Sequence, residues 1–306
     1  MLFWFVAGTA AIFVAAVGLL AAIWGIGIER HLRVIRNEKQ ELSVLPSGAS
    51  PLRVLHISDF HAAPWQTRKL AWIAKLASLD VDLVVDTGDN LGHAGAIDPV
   101  LSALSGLGKK PGVYVNGSND YFAPKPRNPL SYLRAPSERV SQTPLDTERL
   151  TRGFDAFGWL GLNNTGGSLT VNGIKVGFIG VDDMHDGLAD LASLQASRDS
   201  LGADVDVVIG VSHAPYLAAI DAMNDAGASV MFAGHTHGGQ VCIPGFGALV
   251  SNCDLQPRKA RGLSSWTRNG KQMWLNVCAG LGHSIYAPVR FACRPEVRIV
   301  TLVAKQ

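Results

Sequence analysis

The chain has 306 residues, which gives room for an apolar anchor and one domain of ordinary to large size. Its 47% hydrophobic and 17% charged residues exclude a disordered protein. A formal net charge of +2, with no long Lys/Arg tract, argues against a nucleic-acid partner.

Residues 1–28 carry no charged side chain. As a helix they reach about 42 Å at 1.5 Å per residue, more than the roughly 30 Å hydrocarbon core of a bilayer. A cleaved signal would want a basic start and a shorter apolar core, so the segment reads as a single transmembrane anchor. Arg30, Arg33, Arg36 and Lys39 follow it closely, and the positive-inside rule then places the following domain on the cytoplasmic face of the cell membrane. Residues 29–50 read as a juxtamembrane linker ending in the turn PSGASP, with the main domain over 51–306.

From Leu52 a rhythm sets in. RVLHIS, DLVVDTGD, GVYVNGSND, KVGFIGVDD, DVVIGVSHAP and SVMFAGHTHGG are short apolar runs, each handing over to Asp, Asn or His. They predict buried strands with reactive side chains at their C-terminal ends, where layered α/β folds place their sites. TRKLAWIAKLASL predicts a helix between the first two. Residues 123–152, with several prolines and basic residues, predict a long excursion: a lid, a substrate contact or a plain surface insertion. Cys242, Cys253, Cys278 and Cys293 form no CxxC pair and read as reduced, structural residues.

The polar ends suit metal ions. Asp59 and His61 stand two apart, so an extended backbone would put both on one face. Asp89 in GDN has two carboxylate oxygens and could bridge two ions; taken singly, a turn or helix-capping role is the favoured reading. His213 in VSHAP follows, then His235 and His237 in GHTHGG, a loop whose glycines let the backbone pass close to a bound group. Asp182 and Asp183 end another strand and read as turn or hydrogen-bonding residues.

In order and spacing these motifs resemble the calcineurin-like metallophosphoesterase superfamily, over roughly residues 52–303, and the tail through CRPE at Cys293 resembles a bacterial, membrane-associated branch of it. The resemblance implies a four-layer α/β/β/α sandwich, here preceded by one N-terminal transmembrane helix, with two divalent ions of the Mn, Fe or Zn class. It implies Asp59, His61 and His237 on one ion, His213 and His235 on the other, and Asp89 between them. The implied reaction is hydrolysis of a phosphoester or pyrophosphate by a metal-activated water. A phosphorylated small molecule or a lipid-linked, nucleotide-activated compound at the bilayer is the substrate class.

One motif departs from the family. Where the pattern asks for Gly-Asn-His-Asp/Glu, this chain has Gly117-Ser118-Asn119-Asp120. Either Ser118 or Asn119 takes the ligand position; an amide oxygen is the better neutral ligand, which favours Asn119. The general-acid His is missing in both registers. His93 and Asp120 are the candidate proton donors, and loss of the acid favours substrates with good leaving groups. Lys125, Arg127 and Arg134 are candidate contacts to an anionic substrate, or solvated surface charges. The alternative to an enzyme is a metal-binding regulatory module that has lost turnover with that His.

Overall fold

The computed structural model describes residues 1–126 and 143–305. Helix α1 (Leu2–Ala22) runs on through a wider coil over Ile23–Ile28 and a tight turn over Glu29–His31. The whole stretch Phe3–His31, 29 residues, is long and apolar enough to span a membrane. In chain order there follow β1 (Val34–Leu42), β2 (Leu52–Ile57), α2 (Thr67–Lys75), β3 (Leu83–Asp86), α3 (Ile97–Leu104), β4 (Gly112–Tyr114), α4 (Ser118–Tyr121), β5 (Phe122–Ala123), β6 (Thr143–Pro144), α5 (Thr147–Ala156), β7 (Leu160–Gly161), β8 (Gly166–Val171), β9 (Ile174–Gly180) and α6 (Ser193–Ser200). The remainder is β10 (Val207–Ser212), α7 (Leu217–Asp225), β11 (Val230–Ala233), β12 (Cys242–Ile243), β13 (Gly247–Ala248), β14 (Gly262–Arg268), β15 (Lys271–Val277) and β16 (Glu296–Ala304).

Two six-stranded sheets carry the fold, ordered β1-β16-β2-β3-β4-β7 and β14-β15-β11-β10-β9-β8. Within each sheet the inner strands run parallel to one another, β2 to β3 to β4 and β9 to β10 to β11, while β16 beside β2 and β8 beside β9 are antiparallel. Parallel strands buried on both faces need apolar side chains both ways, which is why these runs read as continuous Val, Ile and Leu rather than alternating. Within them the period of two still sorts side chains. Val54 and Val85 face the space between the sheets, where Phe178, Ile209 and Phe232 meet them. Leu55 and Val84 face the other way, onto Ile73, Val100 and Phe154 of α2, α3 and α5. On the far sheet Val208 and Met231 pack against Ile220 and Met223 of α7 and Leu194 of α6. Three apolar layers between four layers of secondary structure make the α/β/β/α sandwich.

Two sequence expectations change here. Much of the segment read as a linker is β1, aligned with β16 from Val34 opposite Glu296 to Leu42 opposite Ala304. Leu42 and Leu45 are buried in the inter-sheet core. Glu38 crosses between the sheets: it accepts from Asn276 Nδ2 of β15 at 2.8 Å and pairs with Arg298 Nη1 of β16 at 2.9 Å. Arg36, Lys39 and Glu41 are exposed, as suits an edge strand, while Glu38 turns inward. Second, the long excursion closes earlier than residue 152. Asp146 caps α5 by accepting from Arg149 N at 3.1 Å, and Leu150 and Phe154, one helical turn apart, enter the core.

A chain beginning at Leu45 therefore loses a sheet strand, not a tether. Its thermal unfolding midpoint should fall several degrees, on the order of 5 °C or more, below that of a chain beginning at Leu32. Equal midpoints would contradict the role of β1.

Candidate metal centre

Five of the six strand ends converge on one buried cluster. Asp59 and His61 follow β2, Asp89 follows β3, Asn119 follows β4, His213 follows β10, and His235 and His237 follow β11. The loops after β2 and β3 stay tied together, with Asp59 N donating to Gly88 O at 2.8 Å and His61 N to Asp89 O at 2.9 Å.

The backbone here is not the extended strand expected from the i, i+2 spacing. Asp59, His61, Asp89, His235 and His237 all take positive φ, between 41° and 66°. That left-handed region is sparsely used by residues other than Gly, costs about 1–3 kcal/mol per residue, and clusters at functional sites. The turns aim paired side chains inward where a strand would simply alternate them.

The aim is tight. Asp59, His61 and His237 each offer a ligand atom within 4.8 Å of the others, and so do Asp59, Asp89 and His213. His61 Nε2 lies 3.0 Å from His237 Nε2, 3.5 Å from Asp89 Oδ2 and 3.8 Å from Asp59 Oδ1. His213 Nε2 stands 3.4 Å from Asp89 Oδ2, while its Nδ1 is fixed on Thr87 O at 2.7 Å. With no hydrogen-bond partner of its own, that buried Nε2 is an orphan pointed into the cluster. Two carboxylates and several imidazole nitrogens thus converge, out of water, on shared space. This donor set, mixed N and O on rigid loops, fits divalent transition ions.

Electrostatics agree with the crowding. Burial pushes Asp59 up to about 6, the neighbouring Asp89 carboxylate adding to it. Burial acts the same way on Asp89, but His213 and His61 override it and hold that carboxyl well below the usual range. Burial depresses His61 to about 4 and holds His237 well below the ordinary imidazole value. His213 is the exception, since Asp89 and Asp59 outweigh burial and raise it well above the ordinary imidazole value.

The variant loop resolves in geometry. Asn119 donates from its backbone N to Asp89 Oδ1 and from its side-chain Nδ2 to Asp89 Oδ2, both at 2.8 Å. Its amide is the side chain of this motif that reaches the cluster; Ser118 is buried at the start of α4. Gly117 is needed for close approach, because a Cβ there would sit 2.3 Å from Asp89 Oδ1 and 2.7 Å from the His213 ring.

Neither candidate proton donor has the geometry for that role. Asp120 accepts from four backbone N–H groups: Asp89 at 2.8 Å and Gly117 at 3.0 Å on one oxygen, Asn90 at 2.8 Å and Leu91 at 3.2 Å on the other. Burial and Asp89 push it up to about 7, yet both oxygens are spent shaping the loop that presents Asp89. His93 is exposed; its Nδ1 accepts from Gly95 N at 3.0 Å to cap the following turn, and its ring meets Trp65 edge-on. Lys125 lies two residues beyond β5, and Arg127 and Arg134 lie outside the described residues.

The geometry adds residues the sequence reading passed over. The His185 ring lies against His235 at a tilt of 43°, with ring centroids 5.0 Å apart, and meets Tyr216 Oη through Nδ1 at 3.0 Å. It follows Asp182 and Asp183 at the end of β9, so the strand-end rule already covered it. His235 lies 5.2 Å from the His213 ring, and its Nε2 is engaged by Asn252 at 3.2 Å, a partner with no sequence signal. Fully buried Arg290 donates to His237 O at 2.8 Å and Ala279 O at 2.7 Å and lies 3.2 Å from His237 Nδ1, so it locks that imidazole in place.

The family comparison matches this geometry. The chain belongs to the calcineurin-like phosphoesterase family, which matches over residues 52–239. It is 24% identical over 300 residues to an uncharacterized metallophosphoesterase, YkuE, of Bacillus subtilis strain 168, covering 94% of this chain and 93% of that one. Among solved structures, the Haemophilus influenzae NAD nucleotidase shares 13% identity at a TM-score of 0.46, over 76% of this chain and 51% of the other, so this chain spans about half its length. A dimetal phosphatase of Danio rerio shares 12% at 0.43, over 76% and 88%.

Asp120→Asn tests the reassignment of that residue. The amide turns a donor toward backbone N–H groups, so the variant should lose about 1–3 kcal/mol of stability. Its folded fraction should keep the shape of the wild-type pH–rate profile. Unchanged stability, with activity lost only on poor leaving groups, would restore Asp120 as the acid.

Proposed function

We propose that the chain is a membrane-tethered hydrolase that uses two divalent ions to cleave a phosphoester or pyrophosphate. The observation that carries this reading is the pair of three-ligand groups overlapping at Asp59, with the orphaned His213 Nε2 aimed among them. Asp59, His61 and His237 would hold one ion; Asp89, Asn119, His213 and His235 the other, with Asp89 facing both through His61 and His213. Such an ion pair supplies charge to clamp a phosphoryl group and to acidify a bound water.

The protein's own residues do the rest. Asp120 sets the Asp89 loop, Arg290 fixes the His237 ring, and Thr87 O fixes the His213 tautomer, so that ligands are oriented before substrate arrives. Asp120 is committed to the Asp89 loop and His93 Nδ1 to capping its own turn, which supports a site without the family's acid among the described residues. Leaving groups stable as anions, such as diphosphates or activated diesters, are then favoured. The helix Phe3–His31 supports tethering, and a tethered domain meets lipid-linked substrates at high effective concentration. The basic residues after the helix support a cytoplasmic domain.

With bis(p-nitrophenyl) phosphate and Mn, turnover should be lost on chelation, restored by the metal, and lowered about a hundredfold or more in Asp89→Asn. Aryl esters should exceed simple alkyl phosphates by more than about 10² in rate. Metal-independent turnover, or a preference for alkyl phosphates, would contradict the reading.

A further inference from the structure

We infer that the β12–β13 hairpin is a second membrane contact, holding the mouth of the metal centre against the lipid headgroups. The inference rests on the reading of α1 as a membrane span and goes beyond tethering: it makes the bilayer surface part of the substrate site.

The hairpin is unlike the rest of the domain surface. Val241, Ile243, Phe246 and Leu249 are 43%, 47%, 75% and 45% exposed, four large apolar side chains within nine residues. Isolated exposed apolar residues are ordinary, but a contiguous group marks a contact. Gly245 and Gly247, both at positive φ, bracket Phe246 and turn it outward at the tip.

Position identifies the occupant. The hairpin grows from the metal centre, leaving at His237 and returning at Asn252, whose carbonyl and amide engage His235. Its base is sewn to residues 287–291: Gln240 Nε2 donates to Ala287 O at 3.0 Å and Cys242 N to Phe291 O at 2.8 Å. That segment in turn lies on the helix end. Arg290 N donates to Gly25 O at 3.2 Å, and a Cβ on Gly25 would meet Arg290 O at 3.0 Å. Glu29, buried, accepts from Trp24 Nε1 at 2.6 Å, Ala292 N at 3.0 Å and Cys293 N at 2.8 Å, which fixes the helix end to the same segment.

Depth follows from length. About 20 helical residues cross a 30 Å core, so a helix entering near residue 2 leaves it near residue 22. Gly25 and Trp24 then sit in the headgroup layer, where Trp is at home. The hairpin base is two backbone hydrogen-bonding steps from Gly25, within about 10 Å of it, which puts its apolar tip in reach of the bilayer surface. Charge fits too: Arg30 and Arg33 lie on the chain just past the span, and Arg294 joins them by donating to Leu32 O at 2.8 Å. An apolar tip with a basic rim is the pattern of interfacial insertion into anionic lipid. The phosphoester presented there would be that of a membrane lipid.

The test uses full-length protein in vesicles of phosphatidylethanolamine and phosphatidylglycerol, in a Cys253→Ser background. Nitroxide labels are placed through Phe246→Cys, through Phe13→Cys in the span, and through Asn269→Cys in the β14–β15 turn. The label at 246 should lie about 5–10 Å below the headgroups by oxygen and nickel-chelate accessibility, with 269 aqueous and 13 in hydrocarbon. An aqueous 246 beside a lipidic 13 overturns the inference and leaves the span intact; an aqueous 13 removes both. Dipolar broadening between labels at 246 would assign the hairpin to a second copy and also overturn it. In parallel, the double variant Ile243→Ser, Phe246→Ser should lower turnover of hexadecyl p-nitrophenyl phosphate in vesicles about tenfold, with methyl p-nitrophenyl phosphate unaffected. Equal loss on both esters would contradict a membrane role. Failure of the unaltered protein on both esters would strike the hydrolase reading, and the label depths would still decide the membrane contact.

Discussion

The constraint on which the structure depends is the burial of two carboxylates, Asp59 and Asp89, in one cluster with His61, His213 and His237. Removing carboxylates from water is expensive unless charge or hydrogen bonds compensate. Within the protein the compensation is partial. Ser58 and the His235 amide serve Asp59, Asn119 serves Asp89, and His213 lies beside it, 3.4 Å from Asp89 Oδ2. Five ligand positions in left-handed backbone add strain on top. An arrangement this costly fits a site selected to receive cations, which would complete the neutralisation the side chains begin.

The two sheets make such a site possible. Parallel strands present all their C-terminal ends along one edge, and two packed sheets bring two such edges together. Asp59, Asp89 and Asn119 come from one sheet, His213, His235 and His237 from the other. The inter-sheet core, from Val54 to Phe232, sets their separation. Arg290 then extends the site outward, touching His237 on one side and, through its backbone, the end of the apolar helix on the other. One residue thereby links the His237 ring to the mounting of the apolar helix.

Much of this was legible in the sequence, and the reasons are physical. Continuous apolar runs ending in Asp, Asn or His specify buried strands, and each of the six runs formed one. The candidate ligand side chains were readable because their chemistry has few other uses at that spacing. Their backbone was not: Asp-x-His suggests a strand, and only tertiary hydrogen bonds between the loops after β2 and β3 impose the left-handed turns. β1 escaped notice because an edge strand with one wet face shows weak patterning. Asp120 illustrates the harder limit. A carboxylate beside a metal motif suggests acid chemistry, whereas its partners are four backbone N–H groups that carry no sequence identity. Asn252 and Arg290 were invisible as site residues for the same reason, being far along the chain and defined by contact alone.

The most direct measurement is the metal content of the purified full-length protein after reconstitution with Mn, Fe or Zn, by elemental analysis against protein concentration. The account predicts two ions per chain, and one in a His213→Ala variant that keeps the Asp59, His61 and His237 group. Absence of bound transition metal under every loading condition, or full loading after loss of His213, would contradict it.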